Sequence, residues 1–77
     1  MTYSLIIHEQ YNADAKYVND IKTWKEVTDF LKNQLSQQTI FVRIFKYSSD
    51  NRTLGSKIVT MGNLFDVCSS LTDKILL

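Results

Sequence analysis

Apolar and polar residues alternate most regularly over Thr39–Ser48, TIFVRIFKYS. A strand turns successive side chains to opposite faces. Ile40, Val42 and Ile44 therefore share one face, and Phe41, Arg43, Phe45 and Tyr47 share the other. The first is a core face. The second carries three aromatic rings and a guanidinium. Alternation also marks Tyr3–Gln10 as a strand, with Tyr3, Leu5 and Ile7 on one side and Ser4, Ile6 and His8 on the other; its β-branched and aromatic content agrees. Thr53–Met61 reads as the return strand of a hairpin, with Gly55 as a bulge position. Ser49-Asp50-Asn51-Arg52 is its turn, because Asp and Asn tolerate the left-handed backbone that tight hairpins need.

A helical period occurs twice. Thr23-Trp24-Lys25-Glu26 has capping-box spacing, which places the Thr23 hydroxyl on the Glu26 N–H; such a cap is worth roughly 1 kcal/mol. Trp24, Val27, Leu31 and Leu35 follow as a stripe that Phe30 widens, with Lys25, Asp29, Lys32 and Asn33 opposite. Asp29 and Lys32 are spaced for a weak i,i+3 pair. Gly62 and Asn63 break the hairpin strand, and Asn63 is in position to cap a second helix. Leu64, Val67, Cys68, Leu71 and Ile75 form its apolar face, beside Phe65 and Leu76, and it extends to Leu77. Tyr11–Lys22 has no clean period and reads as a loop, within which Lys16–Val18 could pair back on the first strand.

The element order is β-α-β-β-α. It predicts an α+β domain: a small, mostly antiparallel three-stranded sheet, with a short fourth strand at most, and two helices on one face. A parallel crossover from the first strand through the helix is expected to be right-handed. The outline resembles a split β-α-β arrangement lacking its last strand. A chain of 77 residues makes a single domain, 1–77. It buries only about 60% of its unfolded surface, and an unaided core of this size supplies roughly 3–5 kcal/mol. Cys68 is the only cysteine, so no internal disulfide reinforces it. A homodimer would enlarge the core.

Charge and composition narrow the function classes. The chain is 44% apolar and 22% charged with a net charge of +1. It is neither a polyanionic nucleic-acid mimic nor a general polycation. No apolar run spans a bilayer, and MTYSLIIHEQ lacks the basic start of a signal peptide; a cytoplasmic location without membrane attachment is the expectation.

Catalytic patterns are lacking. His8 is the only histidine and has no evident nucleophile to serve. Cys68 lies on an apolar stripe and reads as a small hydrophobe. The eight carboxylates show no metal-loop spacing, and there is no phosphate-cradling glycine loop. A non-enzyme without catalytic, cofactor-binding or metal residues is expected.

What remains is the second face of Thr39–Ser48. Residues 39–61 carry Arg43, Lys46, Arg52 and Lys57 against Asp50 alone, so this hairpin is the basic part of a near-neutral chain. Aromatic residues with arginine are what protein-binding hot spots favour. The partner-binding set is accordingly Phe41, Arg43, Phe45, Tyr47, Arg52 and Lys57. The leading expectation is a small regulator or inhibitor that occupies another protein's surface. The Ile/Asn/Lys/Tyr-rich composition fits a phage or mobile-element protein that blocks a host defence enzyme. The alternative is single-stranded nucleic-acid binding by the same face, where each stacked base is worth roughly 1–3 kcal/mol. The last helix is expected to cap the sheet; the alternative is that Phe65, Leu76 and Leu77 spill over into a dimer or partner contact.

Overall fold

A computed structural model describes residues 1–76. The strands are β1 (Thr2–Glu9), β2 (Lys16–Ile21), β3 (Thr39–Tyr47) and β4 (Thr53–Thr60); the helices are α1 (Trp24–Asn33) and α2 (Leu64–Ser69), and a 3-10 turn covers Asp73–Leu76. The four strands make one sheet in the order β2-β1-β3-β4, antiparallel throughout.

The fourth strand is fully formed, and it changes the topology. It was obscured in the sequence because a bulge breaks its alternation. Val18 and Ile21 stand three apart, yet they pair with Leu5 and Tyr3 on the same face. The extra residue is taken up near Asp20, whose φ is 61°. β2 also reverses the chain before α1. β1 and β3 are therefore antiparallel neighbours, not the parallel pair expected of a crossover from the first strand. The parallel pair linked by α1 is β2 and β3, with β1 inserted between them. The split β-α-β unit is present, but it begins one strand later.

A second bulge corrects the core assignment in β3. Val42 and Ile44 are fully buried, but Ile40 is 53% exposed while Thr39 is buried. His8 pairs with Phe41 and Glu9 with Thr39. Ile40 is thus the surplus residue, and Thr39 takes the inward place. A third irregularity lies in β4, where Lys46 pairs with Gly55 but Tyr47 with Thr53. Gly55 itself serves a close approach. A Cβ there would lie 2.8 Å from the Leu76 carbonyl oxygen, where the 3-10 turn crosses the strand.

α1 begins as its capping signal requires. The Thr23 hydroxyl accepts the Glu26 N–H at 3.1 Å, and the Glu26 carboxylate accepts the Lys22 N–H at 3.4 Å, one residue before the cap. Asp29 pairs with Lys25 at 2.7 Å, one helical turn back, in preference to Lys32. Trp24, Val27 and Leu31 enter the core.

The last helix is shorter than its stripe implied. It stops at Ser69, and Leu71 is 96% exposed. Two serine hydroxyls bond back into the preceding turn, Ser69 to the Phe65 carbonyl and Ser70 to that of Asp66, an arrangement that weakens helices. The Ser70 carbonyl accepts the Trp24 indole N–H at 2.9 Å. Ser70 is extended, and the chain turns away to bury Leu76 in the core. Asn63 precedes α2 but does not cap it with its side chain. That amide accepts the Thr60 N–H at 2.7 Å and donates to the Ile58 carbonyl at 3.1 Å. The expected continuation to Leu77 lies outside the described residues.

One core results. Tyr3, Leu5, Ile7, Ile21, Val42, Ile44 and Val59 of the sheet meet Trp24, Val27, Leu31, Val67 and Leu76. Both helices and the 3-10 turn therefore lie on a single face. No helix among the described residues is long and apolar enough to cross a membrane.

Candidate partner-binding face

The sheet's other face follows from its register. Directly opposed residues in an antiparallel ladder point the same way. Three rows result across β1, β3 and β4: His8–Phe41–Thr60, Ile6–Arg43–Ile58 and Ser4–Phe45–Ser56. Tyr47 lies beyond them, opposite Thr2, and Tyr17 of β2 extends the middle row beside Ile6. None of the apolar core residues contributed by α1, α2 or the 3-10 turn meets this side; all join the Leu5/Val42/Ile44 face.

The rings are ordered by contacts within the sheet. His8 stacks on Phe41 with centroids 4.3 Å apart and planes 18° from parallel. Phe45 and Tyr47 lie 6.3 Å apart at 21°. The Ser4 hydroxyl donates a long hydrogen bond to the Tyr47 hydroxyl at 3.3 Å. His8 Nε2 is buried without a hydrogen-bond partner, so the imidazole acts here as a platform for Phe41. Arg43 is exposed between the two ring pairs. Its cross-strand neighbours are Ile6 and Ile58, and Phe41 and Phe45 stand two residues away on its own strand. Among the described residues it makes no ion pair; the three that exist join Lys16 to Glu9, Lys25 to Asp29 and Lys46 to Asp73.

The six residues singled out by sequence are not one surface. Phe41, Arg43, Phe45 and Tyr47 share the open face. Lys57 pairs with Ile44 and so points to the helix side. Arg52 lies in the β3–β4 turn, where its carbonyl accepts the Ser48 N–H at 2.9 Å. Lys46, counted among the hairpin's cations, is also on the helix side and is bound to Asp73 at 2.6 Å. Ile6, His8, Tyr17 and Ile58 join the face instead. Alternation had placed Ile6 and His8 on a common side of β1, but only strand order places that side beside Phe41 and Arg43.

The helix side offers a second surface. A cavity of about 580 Å³ lies between the helices, lined by Leu31, Lys32, Met61, Leu64, Phe65 and Cys68. Phe65 is 81% exposed, whereas Leu76, expected beside it, is buried. Burial pushes the Cys68 thiol above its ordinary pKa, with Lys32 opposing, which disfavours the thiolate. No group of three or more His, Cys, Asp or Glu residues among the described ones is placed to hold a metal ion. No family model, curated protein or solved structure matches the chain.

Proposed function

We propose that this protein is a small non-enzymatic regulator that acts by covering part of another protein's surface with its open sheet face. The observation that carries the reading is the half-buried aromatic field of Phe41, Phe45 and Tyr47 around the exposed Arg43, on the sheet side away from the helix-packed core. Large rings and arginine, held rigidly at the centre of a patch, are the groups that dominate binding energy in protein interfaces. A strand-borne patch also binds with little backbone ordering cost, and its rings are already stacked in pairs. The composition favours a phage or mobile-element origin, and a host defence enzyme is the class of target we name.

The test is affinity capture from host lysate with wild-type protein, Phe45→Ala and Lys25→Ala, followed by reconstitution with the identified protein. Wild type and Lys25→Ala should retain it, and Phe45→Ala should weaken binding by about tenfold or more. Equal retention by all three would remove the face from the function. Stacked rings on a sheet also suit unpaired bases, which gives the second reading, single-stranded nucleic-acid binding. The charge arrangement weighs against it. A strand-tracking groove needs several cations, and this face has Arg43 while Lys46 and Lys57 lie behind it. Salt-sensitive binding of short RNA or single-stranded DNA in an anisotropy titration would reverse that preference.

A further inference from the structure

We infer that the partner of the open face is a protein surface that presents a carboxylate to Arg43 from within an apolar patch. This rests on the reading of the face as a partner-binding surface and specifies its chemistry. Arg43 sits on an interior strand, at the centre of the face and not at its rim. Ile6 and Ile58 flank it across the sheet, and Phe41 and Phe45 flank it along the strand. The paired positions of this face supply hydroxyls, rings and aliphatic groups; the nearest acid, Asp20, lies at its end beside Ser4 and Tyr47 and makes no ion pair with Arg43. Any occupant that seals the rings from water also removes the guanidinium from water. A buried charge left without a counter-charge is strongly unfavourable. The occupant must therefore bring an anion to the middle of an otherwise apolar contact, and a carboxylate matches the guanidinium through two parallel hydrogen bonds.

Charge complementarity separates this occupant from the others. A second copy laid across the same face by a two-fold axis near its centre would set Arg43 against Arg43, with its Asp20 at the end of the face beside Ser4 and Tyr47 and not opposite the centre. A nucleic-acid strand would offer a phosphate to Arg43. Its neighbouring phosphates would then meet no further cation at the paired positions of the face, since Lys46 is engaged by Asp73 and Lys57 points to the helix side, and would have only Arg52 in the turn at its end. One cation within an apolar frame fits one Asp or Glu within an apolar frame.

The experiment is selection of a displayed random-peptide library on immobilised wild-type protein, Arg43→Ala, Arg43→Glu and Phe45→Ala. Each variant is first shown to unfold at the wild-type urea midpoint. Peptides enriched on wild type should carry Asp or Glu beside aromatic or aliphatic residues. They should bind Arg43→Ala at least about tenfold more weakly, and Arg43→Glu should enrich Lys- or Arg-bearing peptides in their place. Peptides that need Phe45 but show no acidic preference would overturn the carboxylate inference and leave the face as a binding surface. Enrichment indifferent to Phe45 and Arg43 alike, or no enrichment, would overturn both. Light scattering and titration with oligo(dT) run in parallel. A dimer dissociated by Arg43→Glu, or oligonucleotide binding abolished by it, would overturn the inference in favour of a second copy or a nucleic acid.

Discussion

Asp73 ties the end of the chain to its beginning. Its carboxylate accepts the Tyr3 hydroxyl at 2.6 Å and pairs with the Lys46 ammonium at 2.6 Å. The bond to Lys46 and then that to Tyr3 hold the Asp73 carboxyl below the ordinary carboxylate range. Burial, then the bond to Asp73 and its negative charge, push the Tyr3 phenol up to about 12. The two shifts act at opposite ends of the pH scale. A depressed carboxyl contributes stability above its unfolded pKa and loses it as acid protonates the folded form. A raised phenol contributes stability below about pH 10, its unfolded pKa, and loses it as pH climbs through about 12. Urea midpoints should therefore fall from about pH 5 downward, and Asp73→Asn should flatten that acid limb while costing about 1–2 kcal/mol at neutral pH. In an ultraviolet phenolate titration, Tyr3→Phe should remove the step near pH 12. A wild-type titration without that late step would contradict the part-buried hydrogen bond to Asp73.

At the scale of elements, the two sheet edges are guarded in different ways. β2 is short, bulged at Asp20 and flanked by Lys16 and Lys22, all features that discourage a further strand. β4 is longer, and its exposed Leu54 and Ile58 invite one. Asn63 answers this with its side chain. By accepting the Thr60 N–H and donating to the Ile58 carbonyl, its amide occupies two backbone groups that an added strand would use. This accounts for an asparagine in the helix-capping position that makes no side-chain cap. Asn63→Ala should expose the end of β4, and light scattering should then show a mass that rises with concentration where the parent's does not. Hydrogen exchange at the Thr60 amide should quicken in the same variant. Unchanged exchange would show that the amide is protected by something other than Asn63.

Across the whole molecule, one side of the sheet carries the core and the other is left without a helical layer among the described residues. Arg43 and Ile44 are consecutive and make the point. Ile44→Ala removes a fully buried side chain and should cost about 2–5 kcal/mol, a large part of what a core this small provides. Arg43→Ala should change the urea-unfolding free energy by less than about 0.5 kcal/mol. A comparable loss from both would mean that Arg43 is integrated into the fold and not held out for a partner. The helices among the described residues follow the same division. Two short helices and a 3-10 turn cover one sheet face with Trp24, Val27, Leu31, Val67 and Leu76, while Phe65 stays exposed.

The sequence alone determined what depends on local order. Alternation in Tyr3–Gln10 and Thr39–Ser48, the Thr23–Glu26 cap and the α1 stripe all act over a few residues, and each element formed where its pattern lies. The separation of Val42 and Ile44 from Phe41, Arg43, Phe45 and Tyr47 was legible for the same reason, since pleating alone sets it. Tertiary structure decided what depends on partners far along the chain. Ile40 and Thr39 exchanged places because β1 imposes a bulge on β3. β2 became a full strand because Val18 and Ile21 find Leu5 and Tyr3. The last helix ended early at Ser70, whose carbonyl is taken by the Trp24 indole. The candidate strand face lost Lys57 to the helix side and Arg52 to the turn, and gained Ile6, His8, Tyr17 and Ile58, because membership depends on strand order and register. Local pattern says that a strand has two sides; only pairing with its neighbours decides which residues share them.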